Sequence, residues 1–510
     1  MSTDHDYPSS TEQKLSTPSH PIVIQTQSSH THCMGILKHR FLSTNMIDSQ
    51  KRSSSSTGST AAQVVDVVEE TVEDKVKGIS ERIKHFSPSW FSCTMGVGIP
   101  CTLILNIPYP VVHHLRVPAT IFVVVDTILF TTFTIIFAVR YLRWPEIWPL
   151  TMRHPMHSLF LGCYPMSCFT LISGGIGMKN AWGLGDGWLW ALSYLWWISC
   201  VISIAVALLV PFNVYTTHTN IPENTTAAYL LPVVPNITAA SIGAVLAYNF
   251  VPIDTQYAMH IWVASYVLLG PGILVALMLL TLYLQRLIFH HIPPREVIVS
   301  SFLPLGPTGL AGFSALKLGV VATMLFPLVK PTGGGVQSET ELGKAMAGWA
   351  LWGVGLGFAI LLWGLGIWFM LIALGSFFLR WREKDMRFNM GWWGFTFPLA
   401  SLTLSTQLIG EQLDNDGFKV MGTIMTCTMI LLVFAVSVPT IQGCFTGSKR
   451  IFAAPCLADM ETPSSSSLPD SGSGSQDGAD VDVEEDRQEN RNGLGSERTE
   501  KIEKNEKNKR

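Results

Sequence analysis

Two ionisable residues stand alone inside long apolar runs: Asp126 in FVVVDTILF and Lys317 in SALKLGV. A lysine held near the middle of a bilayer costs about 2.5–3.5 kcal/mol, so it must face protein or water. Three uses fit Lys317: lending positive potential to a passing anion, pairing with Asp126, or snorkelling to an interface. Other reactive residue types form no working constellation. His113, His114, His154, His157, His290 and His291 fall near the ends of apolar runs, and the adjacent pairs match neither spaced histidine boxes nor HExxH. The nine cysteines contain no CxxC pair. Gly343-Lys344 lacks the remainder of a phosphate-binding loop. Metal, cofactor and direct ATP chemistry are therefore not expected, nor is an enzyme. A membrane-embedded metallohydrolase lacks acidic and histidine ligands at mid-span positions.

The setting of these residues is poor in charge. The chain has 510 residues, 48% of them apolar and only 14% charged, against about 25% charged in an ordinary soluble domain. Residues 1–85 carry 19 of the charges and residues 451–510 carry 22, leaving 30 for the 365 residues between. So little charge cannot cover a water-soluble surface. Runs 187–222, 224–253, 255–285 and 345–379 contain no Asp, Glu, Lys or Arg, and each holds the ~20 residues that a spanning helix needs.

Ten apolar spans follow from this pattern, near 89–107, 118–140, 157–176, 188–210, 226–250, 259–284, 298–326, 346–379, 391–410 and 418–442. The chain divides into a Ser/Thr-rich tail (1–84), a transmembrane domain (85–445) and an acidic/basic tail (446–510), both tails reading as disordered. Within the first tail, 62–84 has an amphipathic pattern suited to a linker or a membrane-surface helix. No apolar h-region precedes the first span, which is expected to serve as its own insertion signal. Arg140, Arg143, Arg153, Arg286, Arg295, Arg380, Arg382, Lys384 and Arg387 follow even-numbered spans. The loops on the other side contain Arg116, Lys179, Lys330 and Lys344. This excess, with Lys449 and Arg450 after the last span, predicts that both termini are cytoplasmic.

Prolines alternate with the spans. Pro100, Pro165, Pro232, Pro235, Pro304, Pro307 and Pro398 fall within odd spans, whereas Pro118, Pro211 and Pro439 are expected at the ends of even ones; Pro271 is the exception. Interior prolines bend helices and free carbonyls, which protein or a water-filled path must then satisfy. The alternation predicts five hairpins with the kinked members around a central path. Gly96, Gly98, Gly306, Gly309, Gly353, Gly355, Gly357, Gly364 and Gly366 either open backbone to that path or permit close helix packing, the commoner use.

Several motifs fall in order on these spans: HFSPSWF and TMGVGI in the first, LGCYPM in the third, IPP before the seventh, LGPTG in the seventh and GWWGFTFPL in the ninth. Together they resemble the tellurite-resistance/dicarboxylate transporter family over about 85–445, and within it most closely the fungal sulfite efflux pumps. The resemblance implies an all-α protein of ten transmembrane helices, five hairpins around a pseudo-five-fold axis, odd helices lining a pore, even helices outside, and often a homotrimer. It also implies that a phenylalanine of the ninth span plugs the pore. The Trp-Trp-x-aromatic-Thr-Phe-Pro match assigns that role to Phe397, or to Phe395 if the register is two residues away.

The implied function is efflux of sulfite or hydrogensulfite across the plasma membrane. The driving force is the anion gradient and an inside-negative potential worth about 2.3 kcal/mol per charge per 100 mV. A malic acid or dicarboxylate transporter and a gated anion channel are the alternatives within the family.

Overall fold

The computed structural model describes residues 80–218, 222–328, 337–382 and 388–446. Most of both expected tails, and Lys330, Lys384, Arg387, Lys449 and Arg450, lie outside the described residues. Ten long helices carry the described chain, in order: α1 (Phe91–Leu105), α2 (Arg116–Arg143), α3 (Cys163–Trp182), α4 (Asp186–Thr217), α5 (Val234–Phe250), α6 (Thr255–His290), α7 (Leu305–Leu325), α8 (Gln337–Trp381), α9 (Thr396–Gln412) and α10 (Asp416–Thr446). No strand occurs among the described residues. Among the described residues eight helical segments are long and apolar enough to cross a membrane; α5 and α9, at 17 residues each, are shorter and almost wholly buried.

Burial separates the helices into two kinds. In the segments of α1 and α3, 83% of the most apolar window is buried, against 17% in α2 and 28% in α4. The exposed helices present large apolar side chains outward, including Ile121, Leu142, Leu208, Phe289 and Leu361. In water such a surface would drive association; in a bilayer it is the lipid-facing surface. On α2 the buried residues Ala119, Val123, Asp126, Phe133 and Arg140 form one narrow stripe, the three- and four-residue spacing of a helix that touches protein along a single seam.

Each odd helix packs against the even helix that follows it, and the odd helices pack in the sequence α1–α3–α5–α7–α9 with α9 returning to α1. Polar atoms tie this inner set together. Thr94 Oγ1 donates to Ser167 Oγ at 2.8 Å, the Ser241 and Ser314 hydroxyls share a bond at 2.6 Å, and Gln407 Nε2 donates to the Leu103 carbonyl at 3.0 Å. At Gly309 an added Cβ would lie 2.5 Å from the backbone of Ser401 and Leu402, so only glycine lets α7 approach α9 this closely.

Every odd helix is entered through 3-10 backbone, at Pro88–Trp90, Phe160–Gly162, Ala227–Leu230, Arg295–Phe302 and Met390–Phe395. The prolines follow from this. Of the odd-span prolines only Pro100 lies inside its helix. Pro165, Pro235, Pro307 and Pro398 stand in the first turn, where a missing N–H leaves no bond unmade, and Pro232 and Pro304 lie between the 3-10 and α segments. The expected mid-helix kinks are thus mostly breaks at the helix entrances. Even helices run past their expected ends, so Pro211 and Pro439 stand within α4 and α10. Between α9 and α10 the chain turns at Asp414, which adopts φ 49°, and the adjacent Lys419 ammonium holds its carboxyl below the ordinary carboxylate range.

Candidate anion pathway

Two cavities lie among the odd helices. One, of about 310 Å³, is lined by the starts of all five odd helices and by the short segments that lead into them. Among the described residues His157 is the one imidazole on its wall, and none of its described lining residues is Asp, Glu, Lys or Arg. The other, of about 360 Å³, is lined by the later turns of the same five helices and carries Lys317, Arg116, His113 and Glu411. Arg116, the first residue of α2, is the single contribution from an even helix to either wall.

Phe397 is the one residue that lines both cavities. It is 4% exposed and sits in the first turn of α9, one residue before Pro398; Ser401 Oγ donates to its carbonyl at 2.8 Å. Among the described residues its ring has no aromatic partner. Phe395 is placed differently. Its ring packs against Phe302 at 4.7 Å, Phe377 at 5.4 Å and Trp392 at 5.8 Å, and it borders neither cavity. The 3-10 turn ahead of Phe397 is fixed from behind by Trp393, whose Nε1 donates to Thr440 Oγ1 of α10 at 3.0 Å.

The two isolated charges are not partners. Lys317 points over the Tyr248 ring with Nζ 4.0 Å from the centroid, and Glu411 on α9 borders the same cavity. Asp126 is 1% exposed and turned toward α1, where a Cβ on Gly98 would collide with its carboxylate. Its Oδ1 has no hydrogen-bond partner, and among the described residues no ion pair reaches it. Gly98 therefore makes room for Asp126, whereas Gly306 borders the His157 cavity with open space where its Cβ would be.

Some residues now prominent gave little warning in the sequence. Gln407 borders the Lys317 cavity, with both donors used and Oε1 unpartnered. Arg140 and Arg286, counted among the loop cations, are buried ties. Arg140 Nε donates to the Lys84 carbonyl at 2.9 Å, and Arg286 Nη1 donates to the His291 carbonyl at 2.6 Å. Their positions close to helix ends resemble those of orienting charges, and only tertiary packing distinguishes the two. Among the described residues no group of three or more His, Cys, Asp or Glu side chains is arranged to hold a metal.

An inner set of polar-lined helices within an apolar outer set is the arrangement of a transmembrane path. Comparison with known proteins agrees, since the family described as voltage-dependent anion channel, SLAC1, matches residues 85–441. The chain belongs to this family. Within the SLAC1 family it is 36% identical over 371 residues to a sulfite efflux pump SSU1 of Arthroderma otae, covering 70% of this chain and 91% of the relative. It is 24% identical over 366 residues to a malic acid transport protein of Schizosaccharomyces pombe, covering 70% and 78%. It is 23% identical over 384 residues to the sulfite efflux pump SSU1 of Saccharomyces cerevisiae, covering 67% and 83%. As a SLAC1-family member the chain is a multi-pass transmembrane anion transporter, in a family of transporters and channels rather than enzymes.

Proposed function

We propose that this protein exports sulfite or hydrogensulfite across the plasma membrane, through the two cavities and past Phe397. The observation that carries the proposal is the position of Phe397: among the described residues a single apolar ring is the wall common to both chambers. An apolar ring at a constriction blocks an anion by occupying the path and excluding water. In this arrangement Phe397 is the gate and Phe395 is part of the aromatic packing behind it.

All ten helices span the bilayer in this proposal, as five hairpins with pseudo-five-fold symmetry, the odd members lining the pore. The closed packing order of the odd helices and the near-absence of even-helix residues from the cavity walls support it. With both termini cytoplasmic, as the basic loops predict, the His157 cavity opens inward and the Lys317 cavity outward. An anion then moves from a chamber whose described lining residues include no Asp, Glu, Lys or Arg to one with Lys317 and Arg116. Membrane potential and the anion gradient suffice to drive it.

Purified protein in liposomes, loaded in turn with sulfite, malate, nitrate and chloride, tests the substrate. The proposal expects sulfite release that accelerates with an inside-negative potential. Release of malate with retention of sulfite would reject it in favour of dicarboxylate transport.

A further inference from the structure

We propose that the His157 cavity is a recognition chamber for a protonated monoanion, hydrogensulfite rather than the sulfite dianion, with His157 as its principal hydrogen-bonding group. The inference rests on the sulfite-efflux proposal and specifies which ionic form enters.

His157 is held on a built turn. His154 caps the short helix Pro155–Leu159, its Nδ1 accepting from the backbone N–H groups of Met156 and His157 at 3.3 Å each. The two imidazole rings meet edge to face with centroids 4.5 Å apart. His157 is 8% exposed and borders the cavity, and its buried Nδ1 has no hydrogen-bond partner. Neutral imidazole offers one donor and one acceptor. Nδ1 is closed off from the cavity, so a ligand there would meet the ring through Nε2, as donor or acceptor according to the tautomer.

Four serine hydroxyls border the cavity; those of Ser87 and Ser89 bond each other at 2.6 Å, which commits one of their two protons, and the other two hydroxyls narrow the ligand further. Ser92 donates its proton to the Ser89 carbonyl at 2.6 Å, and Ser300 donates to the Val297 carbonyl at 2.7 Å. Both side chains border the cavity. With their protons committed, these oxygens offer lone pairs, which suit a ligand that itself donates. Hydrogensulfite both donates and accepts; the sulfite dianion only accepts. Charge acts in the same direction, because desolvation cost grows with the square of the charge and none of the described lining residues is a lysine or arginine.

The ionisable groups that act on His157 are His154 on its own turn and the buried Arg140 guanidinium of α2, while His218, just after α4, meets the Met152 carbonyl at 2.9 Å. Asp186 stands at the opposite end of α4.

The test uses the full chain in liposomes, with sulfite and nitrate release measured across a range of internal pH at fixed total sulfite. Wild-type sulfite release should fall with rising pH in step with the hydrogensulfite fraction, while nitrate, which has no proton to offer, sets the background. His157→Phe should lower the sulfite-to-nitrate ratio about tenfold, the effect of one hydrogen bond. His157→Asn, which keeps a donor and an acceptor, should recover most of that ratio. An unchanged ratio in His157→Phe, or wild-type release that follows the dianion fraction, would overturn the inference while leaving sulfite efflux intact. Wild-type protein that releases nitrate but no sulfite at any pH would overturn the efflux proposal and this inference with it.

Discussion

Replacing Lys317 by methionine removes one positive charge from the wall of the larger cavity while keeping a chain of similar length. A sphere of 360 Å³ has a radius of ~4.4 Å, so an anion near its centre lies about 5 Å from a charge on its wall. Coulomb attraction at that distance is ~0.8 kcal/mol in water and ~3.3 kcal/mol at an effective dielectric of about 20. Sulfite affinity should therefore fall between about 4-fold and about 300-fold. Glu411 borders the same cavity with the opposite sign, so Glu411→Gln should strengthen apparent affinity, and Lys317→Arg should stay near wild type. The assay is the sulfite concentration dependence of release from liposomes at low ionic strength, where screening is weakest. A thermal-unfolding midpoint for each variant confirms that the fold survives. A Lys317→Met protein with apparent affinity within about twofold of wild type would refute the electrostatic reasoning. So would a Glu411→Gln protein that weakens binding.

Tyr248→Leu removes the ring beneath the Lys317 ammonium and should cost about 0.5–2 kcal/mol of stability, read as a lowered unfolding midpoint in detergent. No such loss is expected for Tyr248→Leu on a Lys317→Met background. Gly98→Ala places a methyl where the Asp126 carboxylate and Thr170 already sit, and should destabilise by about 1–3 kcal/mol. Adding Asp126→Ala should recover part of that loss, and strict additivity of the two changes would argue against the contact.

Much of the fold is legible because a bilayer imposes simple rules on composition. The charge-free runs mark the helices, and the family-like motifs single out Phe397, which lines both cavities beside Pro398. Other features depend on tertiary contacts that spacing does not encode. The 3-10 entrances could not be anticipated, since Pro165 or Pro307 inside an apolar run is equally compatible with a kink, and the helix start is decided by how the preceding loop packs. Lys317 and Asp126 stand out equally in sequence, yet one borders the cavity and the other is buried against Gly98. Their separation depends on which helix face meets α1 and which meets the path. His157 lacks a recognisable motif altogether; its proposed role rests on His154 capping its turn and on its place in the cavity wall.

The central claim is that sulfite crosses where Phe397 separates the two chambers. Its most direct test is sulfite flux through Phe397→Ala compared with wild type in the same liposomes under the same potential. Joining the cavities should raise the flux well above wild type while keeping its direction set by voltage and gradient. A flux equal to wild type, in a variant that is folded and inserted, would contradict the account.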